Sequence, residues 1–574
     1  MTTLAPPAAA VIPGKPVRRD RRWWAGTLLV VVGWSVWQAG LDPSEVINTR
    51  GWTQVQKFFA AMFQPDLSRS MIELTIREAA VTVGYALVGT ALAVVIGIIG
   101  GPLLTERVWS PIHGPMGRGR IGWLAARTLF AIPRSMHEVV FGLLLVNILG
   151  LNPLVAVLAI GIPFGAVTAK VFAELIDELP TDVERSLRAS GAGRFTALAF
   201  GTIPAVLSDL VSYSFYRFEC GLRSAAVLGI VGAGGIGFQL ALSFQSLRYD
   251  EMWTLLWALI ILSGIADRWS SLVRRRRNAA AMEMHTADNN ELVDRAGSAP
   301  GVPMPNRRGR GPERDRFLVA SALIFTLGVP VAFWRLQLDI SSLWAPRART
   351  LAAELAADAW PPRIGTGGFP ELVSDSLDTI ALAVLSIALA WLVASPIAFA
   401  AQRPRHGTGL DGVARRVAAA AVRFVLLIAR SVPPPVWAFV VVFVLFPGLW
   451  PGVVALAIYN GGVLGRLQAE VIENGDHRPA ELLAATGATA PAALTCATVP
   501  AVSARFAALG LYRWEVAVRE TVIVGVVGAA GLGRRLDEQT SSFDYDGILA
   551  TILALLVVTL VVDIASSSIR RTLR

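Results

Sequence analysis

The sequence predicts an all-α polytopic membrane protein, built as two parallel six-helix repeats that form a pseudo-two-fold pair within one chain. Three observations lead there. Of 574 residues, 54% are hydrophobic and only 16% charged, with a mean hydropathy of +0.55. That is greasier than a soluble core requires. Apolar runs of about 20 residues, long enough to cross a bilayer, recur along the chain. Finally, residues 127–277 reappear about 296 positions later without a gap. Tyr216-Arg217-Phe218-Glu219 returns as Tyr512-Arg513-Trp514-Glu515, Gly191 as Gly487, Pro204 as Pro500 and Asp267 as Asp563. Self-similarity at a fixed period marks a duplicated unit.

In the first repeat, spans are expected near 25–41, 79–103, 127–150, 153–176, 197–219 and 251–270. The second places them near 317–335, 379–401, 423–446, 450–472, 493–515 and 547–566. An even number of helices per repeat gives both repeats one orientation, related by an axis along the membrane normal. The expected organisation is an N-terminal tail (1–22), a first repeat (23–277), a linker (278–316) and a second repeat (317–574). The first span follows Arg18, Arg19, Arg21 and Arg22, as a signal peptide would. Its counterpart behind Arg307–Arg316 lies mid-chain, so both read as retained helices.

Arginines set the orientation. They precede the first span and follow the sixth at Arg274–Arg277. They also fill the loops after the second spans, at Arg107, Arg118 and Arg120, and at Arg403, Arg405, Arg415 and Arg416. Short arginine-rich loops stay in the cytoplasm, so both termini and the linker are expected there. The net charge of +10 is thus a topology signal, and no nucleic-acid partner is expected. The linker, with Pro300, Pro303 and Pro305 and no apolar periodicity, reads as an unstructured tether.

No catalytic constellation is present, and no metal site or cofactor of the chain's own is expected. Gly232, Gly234 and Gly237 fit a Gly-x-Gly-x-x-Gly pattern, but they follow a membrane helix, and Ala530 replaces Gly234 in the second repeat. There is no Gly-x4-Gly-Lys-Ser/Thr loop. The five histidines show no ligand spacing. Cys220 and Cys496 are not repeat-equivalent, which argues against a disulfide framework.

The most specific signal is the loop between spans four and five. It reads Glu184-Arg185-Ser186-Leu187-Arg188-Ala189-Ser190-Gly191, with Pro204 thirteen residues after the glycine. The second repeat reads Glu481-Leu482-Leu483-Ala484-Ala485-Thr486-Gly487, again with Pro500 thirteen on. A short helix ended by glycine, then a proline-started span, makes a rigid knob. An ordinary interfacial helix–turn is the bland alternative, weakened by the identical spacing in both repeats.

These loops resemble the coupling-helix motif of ABC-importer permeases, Glu-Ala-Ala-x3-Gly with a proline thirteen residues on. The stretch from Tyr216-Arg217-Phe218-Glu219 through Arg223 to Gly229–Gly237, and its counterpart from Tyr512 through Arg519 to Gly525–Gly533, is similar to the signature of the phosphonate-transporter permease family. The resemblance covers roughly 70–275 and 365–574. It implies a multi-pass subunit of a bacterial cytoplasmic membrane, docked on two copies of a cytoplasmic ATPase that carry the ATP and Mg. It also implies an extracytoplasmic phosphonate- or phosphate-binding protein as feeder. Members usually dimerise; here the dimer is fused. Coupling to the ATPase would fall to Glu184, Arg185, Ala189, Gly191, Glu481, Ala485 and Gly487. The motif glutamate stands one place early in the first repeat, where Arg185 occupies the expected position. A family-like Arg-x-Ile-Pro-Glu pattern in span three reads Arg134-Ser135-Met136-His137-Glu138, but Arg430-Ser431-Val432-Pro433-Pro434 in the second repeat. A permease for another polar nutrient such as methionine, or an ion-coupled secondary transporter, stands as the alternative.

Charges inside a bilayer are costly and face a cavity or a partner. The pathway candidates are Arg134, Arg217, Glu219, Arg223, Arg430, Arg513, Glu515 and Arg519. Glu219 and Arg223 are four residues apart, as are Glu515 and Arg519, so each pair shares a helix face. Either the pairs bond internally, or the arginines turn inward as a collar for an oxyanion. Arg134 and Arg430 either face the pathway or snorkel to headgroups. Lys170 with Glu174 and Arg466 with Glu470 read as ion pairs at the end of span four. Gly232, Gly235 and Gly237, with Gly528, Gly531 and Gly533, read as bent or close-packed backbone, or as an external gate.

Overall fold

The computed structural model describes residues 18–40, 46–110, 117, 119–297, 316–365, 367–403 and 410–573. Residues 1–17, Arg118, Arg405 and the 298–315 part of the linker, with most of the Arg307–Arg316 run, lie outside them. Among the described residues the regular structure is helical, with one isolated β-bridge between Ile47 and Leu445.

The first repeat runs α1 (Arg18–Ala39), α2 (Trp52–Ala61), α3 (Arg69–Leu104), α4 (Gly119–Ser135), α5 (Glu138–Leu149), α6 (Pro153–Glu178), α7 (Asp182–Ala189), α8 (Ile203–Leu228), α9 (Gly235–Gln245) and α10 (Tyr249–Gly297). The second runs α11 (Arg316–Arg335), α12 (Pro346–Asp358), α13 (Gly368–Ala401), α14 (Leu410–Ser431), α15 (Pro434–Val442), α16 (Leu449–Glu473), α17 (Arg478–Ala485), α18 (Val499–Gly525), α19 (Leu532–Ser541) and α20 (Tyr545–Leu573). Among the described residues, eight helical stretches are long and apolar enough to cross a membrane, ten if two bent pairs each count as a span. The other two expected spans are also helical. The apolar part of α1 is short (Gly26–Ala39), and α16 carries Tyr459, Asn460 and Arg466.

Three expectations need correction. The spans near 127–150 and 423–446 are not straight: α4 meets α5 at 85°, and α14 meets α15 at 90°. The causes are local. His137 is extended (φ −75°, ψ 149°) and caps α5 by accepting from the Val139 N–H. Pro433 is extended at the same place, and Pro434 begins α15, where a missing N–H costs nothing. The fifth spans run longer than expected, to Leu228 and Gly525, each entered through a π-helical turn (Leu198–Thr202, Leu494–Thr498). That turn absorbs the carbonyl contacts the following proline disrupts. The start of the linker is helical, since α10 continues to Gly297; its alanines favour helix, and no proline occurs before Pro300.

The repeats interlock. α6 packs along α3, and α16 along α13, over small residues: a Cβ on Gly97 would lie 2.5 Å from Thr168 Cγ2. Close approach at small residues is how helices associate in lipid. The outermost helix of each repeat crosses to the other. α1 packs on α13, where Gln38 Nε2 donates to Asp378 (2.8 Å), and α11 packs on α3 and α10, where Trp269 Nε1 donates to Ser321 (2.9 Å). The largest buried cluster draws on both repeats, joining Trp253, Leu256 and Leu259 to Val436, Trp437 and Leu456. The two bends and the middles of α8 and α18 thereby meet at the centre.

Candidate functional site

A cavity of about 170 Å³ opens where these elements meet. The first bend contributes Arg134, His137 and Glu138, and the second contributes Ser431, Pro433 and Pro434. α8 supplies Tyr216, Arg217, Cys220, Arg223 and Ser224, and α18 supplies Tyr512, Arg513, Arg519 and Glu520. Five arginines thus face two carboxylates. Such an excess of positive charge attracts an anion, and guanidinium offers paired donors to its oxygens.

Equivalent arginines have different surroundings. Arg513 is clasped: its Nη2 lies 2.8 Å from Glu520 Oε1, and its Nε donates to Asn460 Oδ1 at 2.8 Å. Asn460 Nδ2 completes the ring by donating to Glu520 Oε2 at 3.0 Å. Arg217, its counterpart, lies 4.3 Å over the Phe164 ring and 5.6 Å from that of Tyr213. Phe164 stands where the second repeat has Asn460, and Ser224 where it has Glu520. Arg217 is buried, and its Nε has no hydrogen-bond partner.

Arg223 and Arg519, six residues on, are also unequal, but in the opposite sense. Arg223 bonds Glu219 at 3.4 Å, as an internal pair would. Arg519 does not pair with Glu515, which bonds Arg570 at 3.3 Å instead. Arg519 Nη1 donates to the Arg134 carbonyl at 3.0 Å, and its buried Nε is unpartnered. Of the two alternatives open from the sequence, Arg223 makes the internal pair and Arg519 lines the cavity unpaired with Glu515. A carboxylate also changes place: Glu138 accepts from Ser224 in the first repeat, whereas the second has Pro434 and Glu520 there.

Glu219 and Arg430 belong to a cluster that ties the repeats together. Glu219 lies 3.4 Å from Arg430 and 3.7 Å from Arg466, both of the second repeat, besides Arg223. Arg430 also reaches Asp267 at 3.0 Å, and Arg466 bonds Asp267 and, at 3.0 Å, Glu470. Arg430 is buried among these partners, so headgroup snorkelling does not describe it. Lys170 sits 3.7 Å from Glu174. Arg134 lines the cavity rather than the outer surface.

The two glycine-ended knobs share one geometry. The Ala192 and Gly191 N–H groups return to the Leu187 and Arg188 carbonyls, and those of Ala488 and Gly487 return to Leu483 and Ala484. This is a Schellman closure, whose C′ residue is left-handed: φ is +94° at Gly191 and +88° at Gly487. The exposed faces differ. Glu184 turns inward to Arg107 (3.3 Å) and Thr202 (3.4 Å), leaving Arg185 exposed where the second repeat exposes Glu481. Ala189 and Ala485 are exposed on the last turns.

The glycine segments turn the chain back on itself. A Cβ on Gly237 would lie 1.8 Å from the Ala226 carbonyl oxygen, and one on Gly533 2.9 Å from the Val522 Cα. Gly232, Gly234 and Gly235 are left-handed in the first repeat, Gly528 and Gly531 in the second. Each turn is pinned by a residue that sequence reasoning missed. Thr82 Oγ1 accepts from the Ile236 N–H, and Thr379 Oγ1 from the Leu532 N–H, both at 2.9 Å. Asn460, Phe164, Ser224 and Glu520 were missed as well. Their signal was a difference between repeats, apolar against polar at Phe164 and Asn460, neutral against charged at Ser224 and Glu520.

Comparison with known proteins matches residues 93–277 and 412–574 to the family described as binding-protein-dependent transport system inner membrane component. The phosphate-import permease protein PhnE of Mycolicibacterium smegmatis is 27% identical over 453 residues, covering 78% of this chain and 77% of that one. The phosphite transport system permease protein PtxC of Stutzerimonas stutzeri is 34% identical, over 38% of this chain and 76% of its own. A putative cryptic phosphonate transport system permease protein, PhnE2 of Escherichia coli, is 33% identical over 21% of this chain and 97% of its own length.

Proposed function

This chain belongs to the family of binding-protein-dependent transport system inner membrane components, and on that premise we propose that it is the permease subunit of an ATP-driven importer for phosphonate-like oxyanions, phosphate and phosphite included. The observation that carries the reading is the central cavity, where five arginines face two carboxylates. The relatives' names point to the same class of solute.

The chain is a transport subunit and does no covalent chemistry of its own. Two cytoplasmic ATPase subunits dock on α7 and α17, and an extracytoplasmic binding protein delivers the anion at the opposite face. The arginine-rich loops support a cytoplasmic side for α7, α17 and both termini. ATP binding draws the knobs together, the repeats rock about their pseudo-axis, and the cavity opens to each side in turn. The crossed outer helices and the Glu219 cluster join the two repeats, so the rocking proceeds with those contacts kept or exchanged. Binding in the cavity is weak, since a tight arginine site would trap the anion.

Uptake decides the matter. Cells carrying the chain with its ATPase and binding protein are expected to accumulate labelled phosphonate, phosphate or phosphite, and to lose that uptake when the chain is deleted. Loss of methionine uptake alone would refute the oxyanion reading. Uptake that persists without the ATPase would make the protein an ion-coupled carrier.

A further inference from the structure

We infer that the anion site is not two-fold: Arg217 of the first repeat and Arg519 of the second hold the oxyanion, while their repeat-equivalents Arg513 and Arg223 are structural. The inference rests on the oxyanion reading above and says which residues carry it.

Both members of each equivalent pair line the cavity, so position alone does not separate them. Charge compensation does. Arg513 has a carboxylate at 2.8 Å and a carboxamide at the same distance, both buried. Arg223 has Glu219 at 3.4 Å. A guanidinium already neutralised and hydrogen-bonded offers little to an incoming dianion. Arg217 and Arg519 have no carboxylate partner among the described residues, and each keeps a buried Nε without an acceptor. A buried cation with an unused donor is costly unless something fills it. Phe164 supports Arg217 by its ring face, which steadies the guanidinium without consuming its donors.

The asymmetry is written into the sequence as a set of exchanges. Phe164 corresponds to Asn460, Ser224 to Glu520, and Glu138 to Pro434. The first two exchanges place or remove a group of the clasp, and the third removes the carboxylate that Ser224 bonds. Arg134, Arg217 and Arg519 thus line the cavity with no carboxylate ion pair among the described residues. Of the three, Arg217 and Arg519, at non-equivalent positions, keep a buried Nε without an acceptor, so the anion sits off the pseudo-axis. A fused chain permits this, because its halves can diverge; a dimer of identical subunits cannot fix such a difference.

The test uses the full chain, co-purified with its ATPase and binding protein, in liposomes supplied with labelled inorganic phosphate, phosphite or methylphosphonate. Arg217→Gln and Arg519→Gln are each expected to lower uptake about tenfold or more, with Lys at either position recovering part of it. The double variant Arg513→Gln with Glu520→Gln removes both charges of the clasp and leaves no orphan; it is expected to lower uptake clearly less than Arg217→Gln does. Phe164→Asn with Ser224→Glu and Glu138→Gln rebuilds the clasp around Arg217 without setting two carboxylates together, and is expected to abolish uptake. Co-purification of the ATPase separates a folding defect from a lost site. Equal losses at Arg217 and at the neutral 513/520 pair in assembled complexes, or normal uptake by the rebuilt clasp, would overturn the one-sided site while leaving the importer intact. A wild-type complex that hydrolyses ATP but moves none of the three anions would refute the substrate reading, and this inference with it.

Discussion

Glu520 Oε1 lies 2.8 Å from Arg513 Nη2 in the second repeat, and the equivalent of Glu520 in the first repeat is Ser224, which bonds Glu138 instead. A carboxylate has moved from the bend of one repeat to the long helix of the other. Removing it is therefore expected to have no symmetric compensation. Glu520→Ala should cost about 3 kcal/mol of stability by leaving Arg513 buried with only Asn460. The thermal midpoint of the purified complex measures this. An unchanged midpoint would mean that the cavity hydrates Arg513 as well as Glu520 does.

The second prediction compares equivalent glutamates. Glu219 meets Arg223, Arg430 and Arg466, whereas Glu515 meets Arg570. Glu219→Gln should lower the thermal midpoint clearly more than Glu515→Gln, because several charge-assisted bonds weaken together, each worth about 1.5–3 kcal/mol. Equal shifts would show that the cluster contributes little to holding the repeats together.

The third concerns the glycine turns. Thr82→Val and Thr379→Val each leave a buried N–H without its acceptor, at an expected cost of about 1–3 kcal/mol, while Ser at either position keeps it. Hydrogen exchange of the Ile236 and Leu532 amides is the direct readout. Unchanged protection in the valine variants would rule out the pinning role.

The fourth tests the knobs. Nothing lies within 4 Å of a Cβ placed on Gly191 or Gly487, so the constraint there is the left-handed backbone, not space. Asn and Asp tolerate that conformation alike. Gly191→Asp with Gly487→Asp is expected to uncouple ATP hydrolysis from the binding protein by adding charge to the docking faces, and the Asn pair to stay coupled. Normal transport by the Asp pair would remove α7 and α17 from the coupling role.

Much of this architecture was legible in the residues because its causes are local. Twenty-residue apolar runs, the 296-residue period and the glycine-to-proline spacing dictate helices, duplication and Schellman-capped knobs without reference to distant contacts. The sharp bends were less legible. Pro433 signals a break in the second repeat but its equivalent His137 does not in the first, and the direction of α5 and α15 depends on what they pack against. The central charges were least legible. Glu219–Arg223 and Glu515–Arg519 have the same spacing and helix face, yet only the first closes.

By itself, then, the sequence determined the class, the count of repeats and the set of groups available at the centre, since hydropathy and period act through neighbours on the chain. Only the tertiary structure decided which arginine is neutralised and which is left open. That choice depends on whether a carboxylate or carboxamide from another helix, Asn460 or Phe164, Glu520 or Ser224, Asp267 across the repeats, arrives within hydrogen-bonding distance. Residues shared by the repeats marked the site; those that differ between them set its chemistry.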